Sequence, residues 1–191
     1  MKRVWITGYR SYELQIFDPK SDKALIIKET LKNEMRSLIE NGCDWFLTGL
    51  QLGIEQWSIE IANELKEEFP NEFKIAILTP FNGFGSQWNE ENKIRMNSLI
   101  NLGDYYNKVS DKDYESPKQL KNYQSFMVNH TDSALLVYDD EHEGKTKYDY
   151  EFINRYQDNH NYSLQLIDFE DLQEGAEIYE EKTKLNRNYD F

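Results

Sequence analysis

The chain has 191 residues, 39% hydrophobic and 14% aromatic, which suits one substantial globular core and excludes a disordered chain. There are 35 acidic residues against 22 basic ones, a net charge of −13 whose summed field repels nucleic acid and anionic membrane surfaces. Cys43 is the only cysteine, so no intramolecular disulfide can form, and no apolar run approaches the roughly 20 residues of a membrane span.

The N-terminus enters a strand directly, with no basic and apolar leader, so a cytoplasmic protein is expected. That first apolar run, Val4-Trp5-Ile6, ends at Thr7-Gly8-Tyr9-Arg10. Ile27, Leu31, Met35 and Leu38, spaced by three or four, predict the following helix. A second strand, Trp45-Phe46-Leu47, breaks at Gly49 and restarts around Gly53 as a helix carrying Ile54, Trp57, Ile61 and Leu65 on one side. A third, Ile75-Ala76-Ile77-Leu78, leads to Thr79-Pro80-Phe81. Gly83 and Gly85 then predict a flexible loop whose Phe81, Phe84 and Trp88 either pack locally or close over a flat ligand.

A helix over about Asn89 to Leu102 turns Met96, Leu99 and Ile100 to the core, and the polar stretch Tyr105 to Val109 reads as an edge strand. The next helix, about Pro117 to Asn129, carries Leu120, Phe126 and Met127 inward. Ala134-Leu135-Leu136-Val137 ends at Tyr138-Asp139-Asp140, and Leu164-Gln165-Leu166-Ile167 is the last strand. Residues 1–173 therefore form one domain, with 174–191 a charged C-terminal helix or tail. The alternation of strand and helix predicts an α/β fold with a mostly parallel sheet of five to six strands covered on both faces.

In such sheets ligands bind beyond the carboxyl ends of the strands, where this chain places polar residues. The turn from Gly49 to Gly53 offers helix N-terminal amides and the positive end of the macrodipole to an anion, with Thr48 and Gln51 as further donors. Glu55, in the first helical turn, either caps the helix or accepts from a ligand hydroxyl. Gly144-Lys145-Thr146 is the tail of a phosphate loop, but Asp139 stands where that pattern requires glycine. The segment is either an ordinary helix start or a phosphate contact through its amides and Lys145. A dinucleotide fingerprint and a serine nucleophile elbow are missing. His130, His142 and His160 are not at metal-ligand spacing, so no metal is expected, and the acidic run Asp139 to Glu143 reads as a solvated loop.

Several blocks in register resemble the YpsA family: Thr7-Gly8-Tyr9 with Glu13-Leu14 and Ile16-Phe17, Gln51-Leu52-Gly53-Ile54-Glu55, Thr79-Pro80-Phe81, Tyr114-Glu115-Ser116-Pro117, and Tyr138-Asp139 to Gly144. The likeness covers about residues 1 to 170 and departs at Thr48, Leu50, Thr146 and the longer polar tail. It implies a Rossmann-like three-layer sandwich of the SLOG superfamily, related to DprA and to lysine-decarboxylase-like phosphoribohydrolases. It also implies an ADP-ribose or NAD-like ligand and a protein partner in bacterial cell division. By this resemblance Gly53 and Glu55 are the ligand-binding pair, with Thr7, Gly8 and Thr79 adding to the pocket.

The expected function is binding or sensing of a nucleotide-derived small molecule, with Arg10 or Lys145 neutralising its charge, and with no nucleic-acid or membrane partner. Two alternatives stay open. One is a nucleotide N-glycosidic hydrolase with Glu55 as candidate general base, although the Gly-Gly-x-Gly-Thr string of the phosphoribohydrolases is missing. The other is a protein-interaction scaffold with a vestigial pocket.

Overall fold

A computed structural model describes residues 1–187, so residues 188–191 of the expected tail lie outside the described residues. The elements run β1 (Lys2–Gly8), α1 (Asp22–Glu40), β2 (Cys43–Thr48), α2 (Ile54–Glu68), β3 (Lys74–Thr79), α3 (Glu90–Ile100), then β4 (Tyr105–Lys108), α4 (Lys118–His130), β5 (Ser133–Val137), α5 (Lys147–Gln157), β6 (Ser163–Ile167) and α6 (Phe169–Arg187). The six strands form one sheet in the order β4-β3-β2-β1-β5-β6, every pair parallel. This is the α/β sandwich that the alternating periodicities imply, with helices in two layers: α6, α1, α2 and α3 in a contacting row, α4 and α5 in the other.

Burial follows position in the sheet. The central strands contribute Trp5, Ile6, Phe46, Ile75, Ile77 and Leu135, all fully buried, because a parallel sheet between helices needs apolar residues on both faces. β4 is one edge, with β6 the other, and the β4 residues Tyr105 and Tyr106 stay exposed. Leu120 corrects an expectation. Phe126 and Met127 pack inward, but Leu120 is 42% exposed and borders a cavity, since the stripe of α4 that meets the sheet runs through Tyr123 and Met127 instead. Among the described residues no helix is long and apolar enough to cross a membrane.

The chain order changes direction in the sheet at β1, whose neighbours are β2 and β5. That switch leaves a crevice at the carboxyl ends of the central strands. The loop after β1 docks on the turn after β2 through backbone bonds: Ser11 donates to the Leu52 carbonyl (3.1 Å) and Ile54 to the Tyr9 carbonyl (3.2 Å). Only glycine fits at position 53. Its φ is +107°, and a Cβ there would lie 2.5 Å from Ser11 N and 2.6 Å from the Tyr9 carbonyl oxygen.

Candidate functional site

A cavity of about 510 Å³ opens at this crevice. Pro80, Phe84, Pro117, Leu120 and the Tyr148 ring give it apolar walls. Arg10 enters from the β1 end and Glu55 from α2, Tyr123 and Gln124 come from α4, and Asp149 comes from α5. Lys121 and Lys145 also border it. Residues from five separate segments thus meet at one place that the sheet topology creates.

Glu55 is buried, and both its carboxyl oxygens are held. Oε1 accepts from the Thr7 hydroxyl and Oε2 from the Gln51 backbone N–H, each at 2.8 Å. Gly49 makes room for it, since a Cβ there would overlap Glu55 Oε2 and lie 2.9 Å from the Tyr123 hydroxyl. Glu55 therefore does cap its own turn. With the Gln51 amide bound to Glu55 and the Ile54 amide to Tyr9, two of the donors that the glycine turn offers an anion are already occupied.

Asp149 faces the same cavity from the first turn of α5, and its Oδ1 accepts from Gln124 Nε2 at 2.7 Å. Burial pushes its carboxyl up to about 6; the Gln124 bond and the Arg10 charge oppose the rise and the negative Glu55 adds to it. Burial likewise raises Glu55, against the pull of Arg10, the Gln51 amide and the Thr7 hydroxyl. Tyr123 is 8% exposed, and its hydroxyl has no hydrogen-bond partner among the described residues. Burial first, then Glu55 and Asp149, holds that phenol well above its ordinary range.

The Arg10 guanidinium borders the cavity, and among the described residues no side-chain hydrogen bond or ion pair engages it. Its backbone is fixed instead. Glu13 accepts from the Arg10 N–H through Oε2 and from the Lys145 N–H through Oε1, both at 2.7 Å. One carboxylate thus ties together the two loops that carry these cations. The result, among the described residues, is a cation held by no side-chain hydrogen bond or ion pair, two carboxyls that resist ionisation, and an unsatisfied phenol around one space. Such a set can receive an anion on Arg10 and hydroxyl donors on the carboxyls, and it can move a proton near neutral pH.

The expected site residues divide into groups. Arg10, Gly49, Gln51, Glu55 and Lys145 border the cavity. Thr7 stands behind Glu55 and fixes it, and Gly8 and Gly53 serve backbone packing: a Cβ at Gly8 would lie 2.8 Å from the Val137 carbonyl oxygen. Thr48 turns away, its hydroxyl donating to the Ile6 carbonyl at 2.8 Å. Thr79 is buried at the end of β3 and does not border the cavity. Gly144 leaves space for Glu13, whose Oε1 occupies the Lys145 amide, and Thr146 is fully buried at the start of α5. Tyr123, Gln124 and Asp149 were not expected. The available signal was weak: polar Tyr123 and Gln124 fall on the buried stripe of α4 beside Met127. Among the described residues no group of three or more His, Cys, Asp or Glu side chains is placed to hold a metal ion.

A single parallel sheet with a cavity beyond the carboxyl ends of its central strands defines the class as a Rossmann-like α/β protein. The chain belongs to the YpsA family: its family model, described as the YspA SLOG family, matches residues 4–172. It is 50% identical over 186 residues to a UPF0398 protein of Limosilactobacillus reuteri, covering 96% of this chain and 97% of the relative. A UPF0398 protein of Lactobacillus gasseri is 50% identical over 190 residues, covering 99% and 100%. One of Lactiplantibacillus plantarum is 48% identical over 190 residues, covering 100% of both chains.

Proposed function

We propose that the cavity binds a small nucleotide derivative of the ADP-ribose or NAD type, in a regulatory role in the bacterial cytoplasm. The observation that carries this reading is the Arg10 guanidinium, free of side-chain hydrogen bonds and ion pairs among the described residues, beside the buried Glu55 and half-buried Asp149 carboxyls in a space of about 510 Å³. That volume falls in the range of about 300–1,000 Å³ typical of small-molecule sites. Arg10 pairs with a phosphate, Glu55 and Asp149 accept from ribose hydroxyls, and the apolar walls cover the base. Lys121 and Lys145 add local positive charge within a chain of net charge −13. Calorimetric titration of ADP-ribose, NAD and AMP tests it. The wild type binds at least one of them, and Arg10→Gln and Glu55→Gln each lose about tenfold or more in affinity while staying folded. Equal affinity in both variants would remove these residues from the site.

The raised Asp149 carboxyl beside Glu55 favours a second reading, N-glycosidic hydrolysis. Water would attack the anomeric carbon and pass its proton to one carboxylate as the bond to the base nitrogen breaks. Adenine would take its proton from the other, protonated carboxyl, whereas the nicotinamide of NAD would leave neutral, the bonding pair cancelling its ring charge. Release of free base from NAD or AMP, lost in Asp149→Asn, would favour this chemistry. Binding without release would leave the sensing role.

A further inference from the structure

Beside the cavity lies a second space of about 660 Å³, and Gln51 and Phe84 border both. Its walls are aromatic: Phe81 packs on Phe84 with ring centres 5.6 Å apart and on Tyr114 at 5.1 Å, and Phe84 meets Trp88 at 5.5 Å. The glycine loop that carries these rings is built of two tight turns and one bond to the loop after β4. Ser86 donates to the Gly83 carbonyl and Trp88 to the Gly85 carbonyl, each at 3.0 Å, and Asn82 to the Lys112 carbonyl at 2.9 Å. Gly85 has φ +77°, and a Cβ there would lie 2.9 Å from Met96 Sδ, so the loop packs closely on α3. The groove is therefore preformed.

Its chemistry differs from that of the cavity. Among the described residues no lysine or arginine borders the groove, and the one carboxylate that does, Asp113, is engaged by Asn82 Nδ2 at 2.6 Å. Only uncharged polar groups, those of Gln51, Ser86 and Gln87 among them, are left to meet a ligand edge. Such a surface suits a flat, uncharged ring stacked on aromatic faces and offers nothing to a phosphate. Arg10, Lys121 and Lys145, by contrast, border the cavity, while a cation beside the groove, Lys108, is engaged by Asn82 Oδ1 at 2.7 Å.

We propose that the two spaces form one bipartite site, with a nucleoside and its phosphate in the Arg10 cavity and a second flat ring in the aromatic groove beyond Gln51 and Phe84. The ligand class is then a dinucleotide with two rings, rather than a mononucleotide or ADP-ribose. This rests on the nucleotide-binding reading above.

The test is calorimetric titration of NAD and of AMP into the wild type, Tyr114→Ala and Phe81→Leu, with folding checked by circular dichroism. Tyr114 is 52% exposed, so its removal leaves the core intact. The expected result is tighter binding of NAD than of AMP by the wild type, and a loss of about tenfold for NAD in both variants with AMP unchanged. NAD bound no more tightly than AMP, or equal effects on the two ligands, would overturn the bipartite site while leaving the cavity reading in place. Failure of the wild type to bind either would overturn both.

Discussion

Gly53→Ala separates backbone geometry from ligand contact at the position that the family resemblance singles out. The perturbation has two parts. Holding alanine at φ +107° costs about 1–3 kcal/mol, because that region is reserved for glycine. The new Cβ also meets Ser11 N at 2.5 Å, the Tyr9 carbonyl oxygen at 2.6 Å and Arg10 C at 2.9 Å. These are backbone atoms that cannot rotate away, and overpacking of that kind adds about 1–3 kcal/mol. The sum, about 4 kcal/mol, is a large part of the roughly 5–15 kcal/mol that stabilises a domain. It lowers the melting temperature by roughly 8–16 °C for a chain of this size. Gly42→Ala is the internal control: φ is +84°, but nothing lies within 4 Å of the added Cβ, so strain alone applies, about 1–2 kcal/mol. Urea and thermal denaturation of both variants measure the difference. Equal destabilisation would refute the close-approach argument. Because Gly53 pairs with Arg10, its variant also shifts the cation, so any loss of ligand binding arrives with a loss of stability.

Asp149→Asn tests the buried acid. The folded carboxyl titrates near 6 rather than at 3.8, so its contribution to stability is fully present below about pH 4 and is lost as pH rises through 6. Replacing it with Asn removes that loss. The ligand-free variant gains up to about 3 kcal/mol over the wild type at pH 7 and little at pH 4, measured by urea denaturation. Parallel profiles for the two proteins would show that Asp149 does not titrate there. Thr7→Val removes the donor to Glu55 Oε1 at 2.8 Å and costs about 1–3 kcal/mol. The cost grows with pH, because the missing bond favours the ionised form, and denaturation at pH 5 and pH 8 checks the sign. Arg10→Gln breaks no ion pair but removes the charge that pulls Asp149 and Glu55 down, so it moves the Asp149 titration upward and lowers ligand-free stability at pH 7 while leaving it nearly unchanged at pH 4. Carboxyl chemical shifts followed against pH would detect that move, and an unmoved midpoint would place Arg10 too far away to matter.

The layering of this fold was legible because each central strand is an apolar run too short for a helix, and each helix carries its inward residues three or four apart. The edge position of β4 followed from its polarity. Part of the cavity's lining was readable as well. Arg10, Gly49, Gln51 and Glu55 lie at strand ends or in the glycine turn, where an open parallel sheet places ligands. Thr48 shows the limit of that rule, since its buried hydroxyl is already bound to the Ile6 carbonyl. Gln51 shows another: its amide looked free in the sequence, and only the fold brings Glu55 back onto it. Asp149, Tyr123 and Gln124 were hidden because they belong to α4 and α5. Their function depends on the crossing of those helices over the crevice, which local periodicity does not encode. Nothing local marks Glu13, yet it straps the loops of Arg10 and Lys145 together across more than 130 residues of chain.

The most direct measurement is a titration of NAD into isotopically labelled protein, followed residue by residue through backbone amide resonances. Saturable shifts are predicted for Arg10, Gly49 to Gln51, Tyr123, Gln124 and Asp149, the residues around the cavity, with the α1–α6 face unchanged. Shifts confined to other surfaces, or none at saturating nucleotide, would contradict the assignment of this cavity as the nucleotide site.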